Sequence, residues 1–329
     1  MNQADQTTRA GGPGNGHPGS SYRFAPGDEL SERYRIVDLL GVGAMAEVYE
    51  ATDRILGEPI ALKVLKTEVA SDVVTVERFR RESQLARQVT HRNVCRTYDF
   101  GQHRIDDGAA VTFITMELLR GSSLAHHLAA KGRMTPDDAL PLVEQMAAGL
   151  DAAHAAGVVH RDLKPGNIML VAEARRLVIT DFGLARNYGL DDQTLTITGE
   201  TIGTPLYMAP EQVMAGAQSI TPATDIYALG MVMYEMLTGA LPFTGGSVTV
   251  MALKRLKEVP PPPRLLQPDL DPRWQGAIMR CLERDPQRRF ACAGDVVEAL
   301  KTGAGAAPTG EGPGGAPPRP RKGLFRRRR

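Results

Sequence analysis

Cysteine is scarce in this 329-residue chain, limited to Cys95, Cys281 and Cys292. An odd number with no CxxC pair argues against a disulfide scaffold or a zinc site and fits a reducing compartment. Long apolar runs are missing as well. No stretch approaches the roughly 18 residues that a membrane-spanning helix needs, and residues 1–27 lack the apolar centre of a secretory signal. A strong net charge is also absent, the total being +1. The balance is uneven, however. Residues 303–329 carry seven Lys and Arg against one Glu, and residues 1–27 two Arg against one Asp, so residues 28–302 hold six more acids than cations. A mildly acidic body argues against a nucleic-acid-binding core. No internal repeat is visible.

What is present is enough apolar residue, 42%, to fill one large domain or two small lobes around a cleft. Residues 1–27 are rich in Gly, Pro, Asn and Ser and bury too little to offset ordering entropy, so they read as a disordered tail. The folded domain is expected over 28–302, with order starting near Tyr34-Arg35-Ile36-Val37. Residues 34–115 read as strands interrupted by one helix, Asp72 to Val89, with Val73, Val76, Phe79 and Ala86 along one side; Val111 to Met116 is β-rich. After Gly121 the pattern turns helical. Thr135 caps a helix with Pro136 in its first turn and Asp137 and Asp138 near its positive end. Leu140, Val143, Met146, Ala147 and Leu150 then repeat every three or four residues up to Gly157. Thr221-Pro222 opens a second helix, apolar on most sides through Ile226, Leu229, Val232, Met233, Met236 and Leu237, and therefore buried. Pro260 to Pro263 reads as a connecting loop, and residues 303–318 as a Gly/Pro/Ala linker.

The densest chemistry lies in His160-Arg161-Asp162-Leu163-Lys164-Pro165-Gly166-Asn167, with Asp181-Phe182-Gly183 following. Metal-assisted phosphoryl transfer needs a carboxylate near the acceptor hydroxyl, oxygen ligands for Mg²⁺ and a cation for the charge on the transferred group. Asp162 suits the first task, Asn167 and Asp181 the second, and Lys164 the third. Upstream, Gly41-Val42-Gly43-Ala44-Met45-Ala46 places glycines in the first two positions of a G-x-G-x-x-G turn and alanine in the third. Alone, that pattern suits an ordinary hairpin as well as a phosphate cradle. Alanine adds only a methyl and permits the turn if its φ stays negative.

Together with Ile60-Ala61-Leu62-Lys63, Glu82 on the first helix and Ala209-Pro210-Glu211, these motifs resemble in order and spacing the eukaryotic-like Ser/Thr protein kinases, and most closely their bacterial members. The resemblance covers about residues 34–300. It implies an α+β, bilobal protein-kinase fold, with a small β-rich N-lobe over about 34–116 carrying one regulatory helix, and a large, mainly helical C-lobe over about 120–300. It implies ATP and Mg²⁺ as cofactors, with Mn²⁺ as a substitute, and Ser/Thr-bearing proteins as substrates. By the same resemblance Gly41, Val42 and Gly43 approach the phosphates. Val48 covers the adenine, and Ala61 belongs to the same site. Lys63 reaches the α- and β-phosphates and is held by Glu82. Met116 stands behind the adenine, the backbones of Glu117 and Leu119 pair with the base, and Met169 floors the pocket. Glu211 is expected to pair with Arg289 in the fold, and Asp225 to brace the catalytic loop. Intact Lys63, Glu82, Asp162, Asn167 and Asp181 favour an active enzyme over the alternative, a pseudokinase serving as a nucleotide-responsive scaffold.

Residues 184–208 correspond to an activation segment. Thr196 and Thr198 resemble the doubly phosphorylated pair of bacterial kinases, implying autophosphorylation in trans through self-association, with Arg161 placed to receive a phosphate. Thr204 of Gly203-Thr204-Pro205 is read as structural. The basic run Arg319 to Arg329, with Leu324 and Phe325, suits an anionic membrane surface; nucleic acid or an acidic protein is the alternative. The expected location is cytoplasmic, with peripheral contact at the inner membrane face if the tail binds lipid.

Overall fold

The computed structural model describes residues 22–70, 72–104, 110–171, 175–182, 205–214 and 220–303. Strand β1 (Glu29–Leu30) pairs antiparallel with β2 (Tyr34–Val42), which pairs with β3 (Ala46–Asp53), and β3 with β4 (Glu58–Leu65). Helices α1 (Thr67–Ala70) and α2 (Val73–Ala86) follow, then β5 (Thr97–Arg104) and β6 (Ala110–Met116). The sheet order is β1-β2-β3-β4-β6-β5. Period-2 alternation sends Tyr49, Ala51, Ile60, Leu62, Val64, Val111 and Phe113 into one cluster, while Val48, Ala61 and Lys63 belong to the opposite parity.

Two expectations for this lobe need correction. The tail was expected to reach residue 27, yet residues 22–27 dock on the sheet. Phe24 stands edge-on to Tyr49 with ring centroids 5.8 Å apart and its N–H donates to Tyr49 Oη. Arg23 N–H donates to Glu47 Oε2, and its guanidinium to Thr67 Oγ1 at 3.0 Å. One well-placed aromatic outweighs the polar composition around it. The second correction is the buried face of α2. Asp72 accepts from the N–H groups of Val74 and Thr75 and fixes the start of the helix. The buried residues are then Thr75, Phe79, Ser83 and Ala86, while Val73 is 80% exposed. Ser83 fits this apolar face because its hydroxyl donates to Phe79 O at 2.7 Å.

The second lobe begins with β7 (Ser122–Ser123), α3 (Leu124–Lys131) and α4 (Pro136–Ala155). Thr135 caps α4 by accepting from Asp138 N–H at 3.2 Å, and the chain leaves through Gly157 at φ +74°. A hairpin of β8 (Ile168–Val171) and β9 (Arg176–Ile179) pairs with β7. Helices α5 (Pro210–Met214), α6 (Pro222–Thr238), α7 (Val248–Lys257), α8 (Pro272–Cys281) and α9 (Ala293–Thr302) complete the lobe. Helix α6 runs through its centre, with all six apolar residues expected to be buried in the core it shares with α4, α8 and α9. A Cβ on Gly230 would lie 2.6 Å from Cys281 Cβ, so glycine allows α6 and α8 to approach. The lobes meet where Cys95 N–H donates to Ile179 O at 2.8 Å and Ile179 N–H to Asn93 O at 2.9 Å. Cys95 is enclosed there, and burial pushes its thiol up to about 12, so it is inert at neutral pH.

Candidate active site

The glycine turn is a hairpin between β2 and β3, closed by Gly43 N–H donating to Ala46 O at 2.8 Å. Gly41, Val42 and Gly43 are exposed. Ala46 has no positive φ. It begins β3 opposite Leu65, and its methyl packs with Leu65, Phe79 and Ile114. The third position of the turn is thus an ordinary strand residue. Cross-strand register places Val48 opposite Lys63 and Lys63 opposite Ile114, with Ala61 opposite Met116. Val48, Lys63 and Met116 are half-buried, as are Glu117, Leu119 and Met169.

At the connection between lobes, Glu117 N–H donates to Arg96 O at 2.9 Å. Its carboxylate accepts from Arg176 Nη1 at 2.5 Å and Nη2 at 3.2 Å, and Arg176 Nε also donates to Arg92 O. Arg176 therefore pins the connecting backbone to the β8–β9 hairpin. No motif contains it, so the sequence offered no signal for this role.

The loop from His160 to Asn167 hangs on Asp225, which is fully buried in the first turns of α6. Its Oδ2 accepts from His160 N–H at 2.7 Å and lies 2.7 Å from His154 Nε2, and its Oδ1 accepts from Arg161 N–H at 2.8 Å. Asp225 braces the loop as expected, while His154 was not foreseen. His160 is also fully buried. Asp162 N–H donates to its Nδ1 at 3.2 Å, so its proton sits on Nε2, which donates to Thr180 O at 2.8 Å. Arg161 and Asp181 adopt φ of +67° and +63°, conformations that side chains disfavour and that the surrounding bonds must enforce.

Lys164 Nζ donates to Asp162 Oδ2 at 2.7 Å. Asn167 Nδ2 donates to Asp162 O at 2.9 Å and to Oδ2 at 3.2 Å. Both amide hydrogens of Asn167 thus face Asp162, which turns its carbonyl oxygen the other way. Across the cleft, Lys63 Nζ donates to Asp181 Oδ1 at 2.6 Å. Burial pushes the Asp181 carboxyl up, but the Lys63 ammonium outweighs it and holds the group below the ordinary carboxylate range. Among the described residues, Lys63 forms its ion pair with Asp181 and not with Glu82, which is half-buried on α2. The residues expected to be catalytic or to bind metal thus form two bonded sets, Asp162 with Lys164 and Asn167, and Lys63 with Asp181, while the expected partner of Lys63 is exchanged for another acid.

An Asn167 carbonyl and a second Asp181 oxygen fit a hard divalent cation. Mg²⁺ characteristically takes one or two protein oxygens and completes its shell with phosphates and water. Among the described residues, no cluster of three or more His, Cys, Asp or Glu offers a site held by protein alone.

Glu211 and Arg289 form the expected pair at 2.7 and 2.8 Å, both buried, with Thr224 Oγ1 donating to Glu211 Oε1 at 2.9 Å. Burial raises the Glu211 carboxyl, yet Arg289 prevails and depresses it. Gly183, the candidate phosphosites Thr196 and Thr198, Thr204 and the basic tail 319–329 lie outside the described residues. Among the described residues, no helix is long and apolar enough to cross a membrane.

Comparison with known proteins agrees with this geometry. The protein kinase domain family matches residues 34–300. Over 280 residues the chain is 39% identical to the serine/threonine-protein kinase PknA of Mycobacterium tuberculosis, covering 84% of this chain and 63% of that one. It is 37% identical to the serine/threonine-protein kinase PrkC of Bacillus subtilis, covering 84% and 41% respectively. The chain therefore spans less than two thirds of the length of these relatives. Among solved structures, the kinase domain of M. tuberculosis PknI aligns with a TM-score of 0.66 at 27% identity, over 85% of this chain and 99% of that one. A structure of Rad53 in complex with AMP-PNP aligns with a TM-score of 0.65 at 25% identity, over 82% and 65%. This chain belongs to the protein kinase family, among the bacterial eukaryotic-like serine/threonine kinases.

Proposed function

We propose that this chain is an ATP-dependent serine/threonine protein kinase. The observation that carries the reading is the convergence of Lys164 and Asn167 on the Asp162 carboxylate, in the same lobe as Asp181, which the Lys63 ammonium reaches from the other lobe. When bound, ATP and its divalent cation supply the transferable phosphoryl group and much of the charge neutralisation. Asn167 and Asp181 would hold Mg²⁺, and Mn²⁺ would serve in its place. Lys63 would hold the phosphates under the Gly41-Val42-Gly43 turn, and Val48, Ala61, Met116, Glu117, Leu119 and Met169 would enclose the adenine. Asp162 orients the acceptor hydroxyl and takes its proton, while Lys164 offsets charge developing beside it. Positioning, more than covalent chemistry by the protein, sets the rate.

Autophosphorylation at Thr196 and Thr198, in trans between two copies, would bring phosphate toward Arg161. Glu82 would then compete with Asp181 for Lys63, releasing Asp181 to the cation. The basic tail would hold the kinase at an anionic inner membrane face, a role that liposome co-sedimentation of the full chain against a truncation at Gly303 decides.

The central test is incorporation of label from [γ-³²P]ATP with MgCl₂, comparing wild type, Lys63→Met and Asp162→Asn, with mass-spectrometric mapping of sites. Labelling in wild type alone, centred on Thr196 or Thr198, is the expected result. Nucleotide binding without labelling in any of the three would instead favour a scaffold.

A further inference from the structure

Irregular backbone leaves carbonyls that must find donors. The strip from Pro205 to Ala209 contains a single 3-10 turn, Pro205–Tyr207, before α5 begins. Three side chains tie it to three different elements. Tyr207 Oη donates to Glu235 Oε2 of α6. Ala209 N–H donates to Gln212 Oε1 at 2.9 Å, and Gln212 Nε2 donates to Arg161 O at 2.9 Å, one residue before Asp162. The third tie is Arg255 of α7, whose Nη2 donates to Leu206 O at 2.6 Å and whose Nη1 lies 3.5 Å from Met208 O.

Arg255 is the largest fully buried side chain among the described residues, at 1% exposure. Helix packing alone gives no reason for that. Taking a guanidinium out of water is costly, and an apolar residue of similar volume would join α7 to its neighbours with less penalty. What arginine adds is a rigid planar fork that can hold two acceptors in a fixed relation. The two acceptors belong to the strip that runs from the activation segment to α5. Leu206, Tyr207 and Met208 are each half-buried, so the strip offers a partly apolar ledge two hydrogen bonds from the catalytic loop.

We propose that Arg255 is a positioning residue for the acceptor polypeptide: by fixing the carbonyls of Leu206 and Met208 it shapes the ledge against which residues flanking the acceptor Ser or Thr lie, and so sets affinity for the acceptor and not for the nucleotide. The proposal rests on the serine/threonine kinase reading above, and its test is chosen to separate the two.

The probe is a fluorescent peptide spanning residues 190–201 of this chain, which contains Thr194, Thr196 and Thr198. Its binding to the full chain with AMP-PNP and MgCl₂ is measured by anisotropy for wild type, Arg255→Met and Arg255→Lys. AMP-PNP affinity and thermal midpoint are recorded in parallel. Arg255→Met is expected to weaken the peptide about tenfold, the equivalent of one lost charge-assisted hydrogen bond. AMP-PNP affinity should stay within about twofold on the same scale. Lysine can reach one carbonyl at a time, so Arg255→Lys should fall between. Should the methionine variant fail to fold, the lysine variant carries the same ratio of peptide loss to nucleotide loss. Equal peptide affinity in all three proteins, parallel loss of peptide and nucleotide, or no peptide binding by wild type overturns the proposal. Peptide that binds wild type with this pattern but takes no phosphate from ATP supports the role of Arg255 and counts against the kinase reading.

Discussion

The two lobes hold their functional residues by opposite means. In the large lobe, charge is buried and over-determined. Asp225 serves the backbone of two loop residues and the ring of His154, Glu211 and Arg289 close on each other and on Thr224, and Arg255 gathers the strip before α5. In the small lobe, the sheet is held by an apolar face, and its functional groups lie on the turn between β2 and β3 and on the opposite parity of the inner strands β3 and β4. The glycine turn is exposed, and among the described residues Lys63 makes a single-point ion pair with Asp181. A buried network permits few alternative arrangements, because every broken bond leaves a charge in low dielectric. An exposed turn and a single ammonium bond permit several. Among the described residues, the large lobe is thus tied by buried charge, and the nucleotide side by fewer and more exposed contacts.

The contrast is broken most forcefully at Arg289. Arg289→Met leaves Glu211 charged and buried, and should cost about 3–5 kcal/mol by urea denaturation. A loss below about 1 kcal/mol, the range of surface ion pairs, would show that the frame is not held by charge. Glu211 adds a pH signature. Its carboxyl titrates below the ordinary 4.5 in the folded protein. The unfolded chain therefore takes up the proton first as pH falls. The stabilisation is complete above pH 4.5 and is lost as pH drops through the depressed value. Glu211→Gln should flatten this part of the stability profile below pH 4.5.

In the small lobe the larger effect should fall on activity. Glu82→Gln removes the competitor that would draw Lys63 off Asp181. It should lower the rate of autophosphorylation by about one to two orders of magnitude, an effect in the range of lost positioning interactions, while the urea midpoint moves little. A fully active variant would leave Lys63 on Asp181 throughout turnover and end the competition reading.

How legible all this was in the sequence depends on distance along the chain. Asp162, Lys164 and Asn167 fall within six residues, so one motif carries all three. Lys63 was readable because strand alternation fixes which face it occupies, and Val48 through the family resemblance. Arg255 was not, since it stands with Lys254 and Lys257 at the end of α7 and looks like another solvated helix cation. Only packing against a strip of chain almost fifty residues away reveals it. Arg176 was hidden for the same reason. The buried face of α2 was misplaced because Val73 and Val76 carry more hydrophobicity than Thr75 and Ser83. Asp72 and the Ser83–Phe79 bond decide the matter locally.

The docked segment 22–27 gives a smaller test of the same division. Phe24→Ala removes one half-buried aromatic contact and should cost about 2 kcal/mol. Because Arg23 ties to both Glu47 on β3 and Thr67 on α1, the variant should also weaken nucleotide binding, measured by AMP-PNP calorimetry. A stability loss with unchanged nucleotide affinity would confine this segment to packing.

The smallest expected change is the sharpest probe of the turn itself. Ala46→Gly restores glycine to the third position of the motif, which a sequence argument alone would expect to improve the phosphate cradle. The structure predicts the reverse. Ala46 is a buried strand residue whose methyl packs on Leu65, Phe79 and Ile114. Removing it forfeits about 0.8 kcal/mol of burial and adds backbone freedom worth roughly 0.5–1 kcal/mol in a strand. The variant should be less stable by about 1.5 kcal/mol, the sum of the two effects. It should also bind AMP-PNP more weakly, because the turn has more conformations to lose when it closes over phosphates. Tighter binding would mean that the methyl obstructs the cradle, and the exposed turn would then be tuned for weak nucleotide affinity and not braced by its own strand.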